Sequence, residues 1–157
     1  MTSEIVVRRA TPVDIEPAAA LAGELVRLHH RTDPERFFLP ERVEQGYAWW
    51  FRRELSREAA VILVAERTGE IVGYSYGALG ERDFNSLLDV HGALHDVFVL
   101  ESVRRSGVGK RLVEAMLAEL TRLGAPRIVL STMVGNEAAQ RVFARCGFRP
   151  TMLEMTR

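Results

Sequence analysis

The chain has 157 residues, enough for one domain whose buried core needs neither disulfides nor metal. Its 47% hydrophobic and 27% charged residues exclude a disordered or fibrous chain. The 21 Lys+Arg balance 21 Asp+Glu, so no positive excess points to nucleic acid or an anionic membrane as partner.

Cys146 is the single cysteine, which rules out an intrachain disulfide and fits a reducing compartment. The opening Met1-Thr2-Ser3-Glu4 lacks the basic start and apolar run of a signal peptide. No apolar segment reaches the ~18 residues of a membrane span. A soluble cytoplasmic protein is expected.

The first element is a β-branched strand, Ile5–Arg9. Thr11-Pro12 then supplies an N-cap followed by proline, opening an amphipathic helix to about His30. Ile15, Ala18, Ala22, Leu25, Val26 and His29 recur at its helical spacing. Residues 31–40 form a loop carrying Phe37-Phe38, and residues 41–56 a second helix with Tyr47, Trp49, Trp50 and Phe51. Strands at 60–65 and 70–79 flank Thr68-Gly69 as a hairpin. After a polar loop at 80–89 comes a strand at 94–100. The strongest helix, 108–123, shows Val108, Leu112, Met116, Leu117 and Leu120 on one face and stops at Gly124. A strand at 127–131, a helix at 136–145 closed by Gly147, and a last strand at 149–155 complete the chain. This order predicts a mixed α/β domain around one sheet.

One turn concentrates chemistry. Asp96-Val97-Phe98-Val99 leads, through a short connection, into Arg104-Arg105-Ser106-Gly107-Val108-Gly109-Lys110 and the long helix. The first amides of a helix lack internal partners and its dipole attracts anions. Gly107 and Gly109 let backbone approach an anion, and Arg104, Arg105 and Lys110 add positive charge. A phosphate or pyrophosphate site is predicted. It is not a P-loop, because Arg104 stands where the first glycine belongs and Arg111 follows Lys110. Nor is it a dinucleotide fingerprint, because the third glycine position is Leu112. The bland alternative is a glycine-containing helix start with solvated arginines.

Arg104-x-x-Gly107-x-Gly109 after Val99 resembles the coenzyme A-binding motif of the GNAT acetyltransferase superfamily, Arg/Gln-x-x-Gly-x-Gly/Ala. Asn136-Glu-Ala138-Ala-Gln-Arg-Val-Phe143-Ala-Arg-Cys-Gly147-Phe148 resembles a second family motif, Asn-x-x-Ala-x-x-x-Tyr-x-x-x-Gly-Phe. The opening from Val7 to Asp14 and the strand Gly69-Glu70-Ile71-Val72-Gly73-Tyr74 also read like this family, so the resemblance covers essentially the whole chain, residues 1–157. It implies a single domain with a mixed, mostly antiparallel sheet flanked by helices on both faces. It implies acetyl-CoA as cofactor, with its pyrophosphate on the backbone amides of Arg105 to Lys110. It further implies the pantetheine arm paired with the backbone of Phe98 and Val99 between two splayed strands, and a cofactor contact from Asn136, which is otherwise a plain helix N-cap. A homodimer is an expectation of the same standing.

The family reaction moves an acetyl group from a thioester directly to an amine. Many members protonate the leaving thiolate with the tyrosine of the second motif. Here that cofactor-side position is Phe143, which has no proton to give and reads equally as core packing. For the base, Leu94-His95-Asp96-Val97-Phe98-Val99 resembles Leu-Glu-Asp-x-Phe-Val of polyamine and related small-amine acetyltransferases, with His95 in place of the glutamate. A histidine titrates near neutrality, and a carboxylate can hold a cationic amine. His95 and Asp96 are therefore the catalytic candidates. Strand alternation would turn only one of them into the site unless a bulge intervenes. The ordinary alternative is a half-buried strand histidine beside a loop-facing aspartate.

Other residues carry weaker signals. His29 and His30 suit a helix C-terminus on electrostatic grounds alone. His91 lies close to the candidate strand, and one of Tyr74 and Tyr76 on its neighbour is expected to face the acceptor. Cys146 reads as a small buried hydrophobe. No spacing suggests a metal site. The leading reading is N-acetylation of a small-molecule primary amine, with no nucleic-acid or membrane partner. The alternatives are acetylation of a protein N-terminus or lysine, and a non-catalytic acyl-CoA-binding module.

Overall fold

The computed structural model describes residues 4–157, so all of the opening tetrapeptide except Glu4 lies outside the described residues. Five strands lie in chain order across one sheet: β1 (Ile5–Arg9), β2 (Ala60–Arg67), β3 (Glu70–Gly80), β4 (His91–Val99) and β5 (Ile128–Leu130). The first four run antiparallel, and β5 joins β4 in parallel over Gly92 to Leu94. Thr68 and Gly69 both take positive φ, 52° and 83°, the backbone that a two-residue hairpin with the correct twist requires.

Both faces of the sheet are covered, which is why β2 reads as a continuous apolar run rather than an alternating one. Ile62, Val64, Tyr74, Tyr76 and Phe98 point to one face, against Ile15, Ala18 and Ala22 of α1 (Ile15–Thr32) and Phe51 of α2 (Val43–Leu55). Val61, Leu63, Ala65, Val72 and Leu94 point to the other, against α3 (Val108–Arg122). Val108, Leu112, Met116 and Leu120 of α3 recur every fourth residue, and each is at most 2% exposed. Helix and sheet touch closely there: a β-carbon on Gly77 would lie 2.7 Å from Met116 Sδ. Helix α4 (Glu137–Arg145) follows β5 and buries no residue.

Several elements differ from expectation. Helix α1 continues to Thr32, and β4 starts at His91, where its pairing with β3 already begins opposite Gly80. The strand expected at 149–155 is absent. A strand needs a ladder partner, and this segment has none. Met152, Leu153 and Met155 are all at least 70% exposed, and an ion pair from Glu154 to Arg36 ties the segment to the loop after α1. Among the described residues no helix is long and apolar enough to cross a membrane, and no cluster of His, Cys, Asp and Glu could hold a metal ion.

Candidate active site

The candidate catalytic pair sits on a β-bulge. Tyr76 pairs with Asp96, yet the next residue of β3, Gly77, pairs with Leu94, so His95 is the extra residue of β4. The bulge reverses the alternation at that point. Leu94 turns to the α3 face, whereas Asp96 bonds Tyr74 and His95 stacks on Tyr76, both on the α1/α2 face. Strict alternation would have separated the two. The bulge puts the imidazole and the carboxylate on one side of the sheet.

Tyr74 is fully buried and donates from its hydroxyl to Asp96 Oδ2 at 3.1 Å. The Tyr76 and His95 rings stack with centroids 5.4 Å apart and planes 20° apart. Desolvation holds Asp96 above the ordinary carboxylate range, opposed by the Tyr74 hydroxyl and the nearby charges of His95 and His29. Loss of water also holds His95 below its ordinary value of 6.5, opposed mainly by Asp96, although part of the residue remains open to solvent. These shifts favour a neutral imidazole beside a more basic carboxyl group. Tyr47 of α2 lies close enough to Asp96 to feel its charge, and burial with that charge pushes its hydroxyl up to about 12. Tyr76 shifts upward for related reasons, burial first and then its bond to Glu54.

Three further residues act on this pair or its neighbours: Tyr47, His29 and Glu54. Tyr47 also packs against the core, and Glu54 carries no local signal of its own. The available signal was helical spacing: Tyr47, Phe51 and Glu54 recur at four and three residues on the face of α2 that meets the sheet. His91, by contrast, packs its ring against Gly80 and is bonded to Asp89 O, at the far end of β4 from the turn.

The predicted anion site is a helix start made from unusual backbone. Arg105 has φ 64° and Gly107 has φ 83°, and Gly107 caps α3. Arg111 is the first α3 residue whose amide closes a helical turn, onto Gly107 O, which leaves the amides of Val108, Gly109 and Lys110 directed outward. A β-carbon on Gly107 would meet nothing within 4 Å, and one on Gly109 would meet only Val99 Cγ2, at 3.9 Å. The protein itself therefore does not require the space above Gly109. An anion lying on these amides would. The exposed Arg104, Arg105, Ser106 and Lys110 surround it. Arg104 turns back, donating from Nε to Val99 O at 3.0 Å with its guanidinium 5.6 Å from the Phe98 ring centre.

Beyond Leu94, β4 and β5 part, and residues 95–99 have no strand beside them on that edge. Leu100 N donates to Val72 O, so the hydrogen-bonded pairs of the β3–β4 ladder are Leu100 with Val72 and Phe98 with Tyr74. The Phe98 backbone is thus committed to β3, and its side chain to the α1/α2 core. Of Phe98 and Val99, both expected to pair with the pantetheine arm, Val99 is the one whose backbone is turned away from β3. By alternation, Val97 and Val99 present their backbone groups to the open edge.

Asn136 caps α4, its Oδ1 accepting from Ala139 N at 3.2 Å, so its structural role is an N-cap. Phe143 is half-buried on α4, packing edge-on against Phe148 at 6.1 Å beside the α3 core. Cys146 is partly buried and packs with the same core, and burial raises its thiol.

Known proteins of similar sequence and shape share this fold. An N-alpha-acetyltransferase of Sulfurisphaera tokodaii is 31% identical over 121 residues, covering 73% of this chain and 70% of that one. The BH1408 protein of Bacillus halodurans superposes with a TM-score of 0.81 at 21% identity, covering 97% and 98% of the two chains. The aminoglycoside N-acetyltransferase AAC(6')-Iy, in complex with CoA, superposes with a TM-score of 0.74 at 20% identity, covering 100% and 95%. The acetyltransferase (GNAT) family model matches residues 24–148, and the chain belongs to that family.

Proposed function

We propose that residues 1–157 act as one acetyltransferase domain that moves the acetyl group of acetyl-CoA to a primary amine of a small molecule. The observation that carries this reading is the bulge at His95, which sets a base candidate and a cation-holding carboxylate side by side at the head of the β4 edge. When bound, acetyl-CoA supplies the thioester carbonyl. Amides from Arg105 to Lys110 would hold its pyrophosphate, and the backbones of Val97 and Val99 would hold its pantetheine arm.

The remaining work falls to the protein. A free alkyl amine is protonated at neutral pH, with a pKa of ~10.4. Asp96 holds the ammonium and His95 takes its proton, directly or through one water, so that the nitrogen lone pair is free to attack. General-base help of this kind contributes ~10²–10⁴-fold. Phe143 has no proton to offer. A thiol has a pKa of ~8.5, so its thiolate leaves near neutral pH without a dedicated acid. Asn136 approaches the cofactor from its cap position through its free side-chain nitrogen.

A small acceptor is favoured because Asp96 can hold a cationic amine, and AAC(6')-Iy is named as an aminoglycoside N-acetyltransferase. Acetylation of a protein N-terminus is the second reading, favoured by the name of the 31% identical relative. The lone free thiol suits a reducing cytoplasm, and the exposed Met152, Leu153 and Met155 suit a homodimer. The test is thiol release from acetyl-CoA with polyamines, amino acids, aminoglycosides and peptides with free N-termini. Release with a small amine supports the proposal. Release with peptides alone moves the function to protein acetylation, and cofactor binding without release from any acceptor leaves a binding module.

A further inference from the structure

Glu54 lies in the last turn of α2, where the helix dipole disfavours a negative charge, and it is only 4% exposed. A buried carboxyl group in such a place costs stability unless it is paired. It is paired twice: Arg57 Nη1 donates to Glu54 Oε2 at 2.9 Å, and the Tyr76 hydroxyl donates to the same oxygen. The Tyr76 ring so anchored is the surface on which His95 lies. His95 is a bulge residue outside the ladder register, so its direction depends on what its side chain touches.

We infer that Glu54 is a positioning residue for His95: pinned by Arg57, it fixes the Tyr76 hydroxyl, and the fixed Tyr76 ring sets the plane of the imidazole. The claim rests on the proposed role of His95, but the contact itself can be read without turnover. The groups that act on His95 come from three elements. They are Asp96 and His91 on β4, Tyr76 on β3, and Glu54 with Arg57 at the end of α2. His29 of α1 and Tyr47 of α2 act on the neighbouring Asp96. Glu54 therefore does two things to His95: it orients the ring through Tyr76, and its charge opposes the desolvation that lowers the imidazole pKa.

The test is NMR of the imidazole resonances in the intact protein, with the His95 signal identified by its loss in His95→Gln. Tyr76→Phe, Glu54→Gln and Glu54→Ala are compared with wild type. The shift that the Tyr76 ring current imposes on His95 is one readout, and amine kcat and KM are the other. Glu54→Gln can still accept the Tyr76 hydroxyl and should keep most of the ring-current shift. Tyr76→Phe and Glu54→Ala should lose more than half of it. Both should lose about tenfold in kcat, with KM for the amine changed less than about twofold. A Tyr76→Phe protein with the full wild-type ring-current shift would overturn the inference. So would a folded Glu54→Ala protein that loses melting temperature but keeps that shift. If no amine is turned over by wild type, the assignment of His95 as base fails, while the NMR comparison still decides whether Glu54 positions it.

Discussion

The Tyr74 hydroxyl donates to Asp96 Oδ2 at 3.1 Å from a fully buried position, so the carboxyl that faces the pocket has one oxygen held by the core. This bond stabilises the charged form of Asp96 against the desolvation that raises its pKa. Tyr74→Phe should therefore raise that pKa further and leave less carboxylate at a given pH. The expected result is a higher KM for a cationic amine, with the larger effect at pH 6 and the smaller at pH 8, and kcat changed less. Steady-state kinetics at the two pH values reads it directly. An unchanged KM at pH 6 would mean that Asp96 does not hold the acceptor.

Gly109 gives a cleaner probe of the anion site than Gly107, whose positive φ penalises any side chain. Gly109→Ala adds a methyl group that meets only Val99 Cγ2, in ordinary contact at 3.9 Å. Near the start of a helix, Gly→Ala at a compatible backbone should leave the free protein as stable or up to about 1 kcal/mol more stable. The melting-temperature rise produced by acetyl-CoA should nevertheless shrink. Opposite signs for the free protein and the ligand-induced shift are the expected signature, measured by thermal unfolding with and without the cofactor.

Phe143 stands at the tyrosine position of the motif that its segment resembles, and its ring is half-buried against Phe148 rather than enclosed. Phe143→Leu should cost about 1–2 kcal/mol, below the range for a fully buried aromatic truncation. Turnover should fall less than about tenfold, since no proton comes from this ring. Denaturant unfolding and kcat measured on the same preparation separate the two effects.

Much of this architecture is legible in the sequence, for identifiable reasons. The apolar residues of α3 recur every fourth position, the hairpin carries Thr68-Gly69, and the helix start carries Gly107. These are local signals. The bulge at His95 is not local, because it exists only in the mismatch between Tyr76 with Asp96 and Gly77 with Leu94 across two strands. The same holds for Phe98, whose backbone partner depends on ladder register rather than on its own residue type. Glu54 carries no local signal, because what it does depends on the Tyr76 hydroxyl from another element. The segment 149–155 has strand-like composition but no edge to pair with, and composition does not report partners.

Asp14 offers an acid-stability test far from the pocket. Its side chain is nearly buried, bonded by Arg8 at 2.7 and 3.0 Å and by Thr11 N at 2.7 Å. The Arg8 guanidinium is the main reason its pKa falls from 3.8 to about 2. A depressed folded-state pKa means stability that is complete above the unfolded value near 3.8 and lost as pH falls towards about 2. At about 1.4 kcal/mol per unit, the contribution at neutral pH is about 2 kcal/mol. Asp14→Asn should lose roughly that amount at pH 7, and its deficit relative to wild type should shrink below pH 4. Urea unfolding at the two pH values measures both.

The proposal that the bulge unites a base and a cation-holding carboxylate is tested most directly by one pH–rate profile. The quantity is kcat/KM for the best amine found, in wild type, His95→Gln and Asp96→Asn. Because His95 is held below its ordinary value of 6.5, the wild-type profile should rise with an apparent pKa under 6.5 and level off before neutrality. His95→Gln should lose that limb and about 10²-fold or more of the plateau. Asp96→Asn should keep a limb and act mainly through KM. The account is contradicted if both variants retain the wild-type plateau and the same ascending limb.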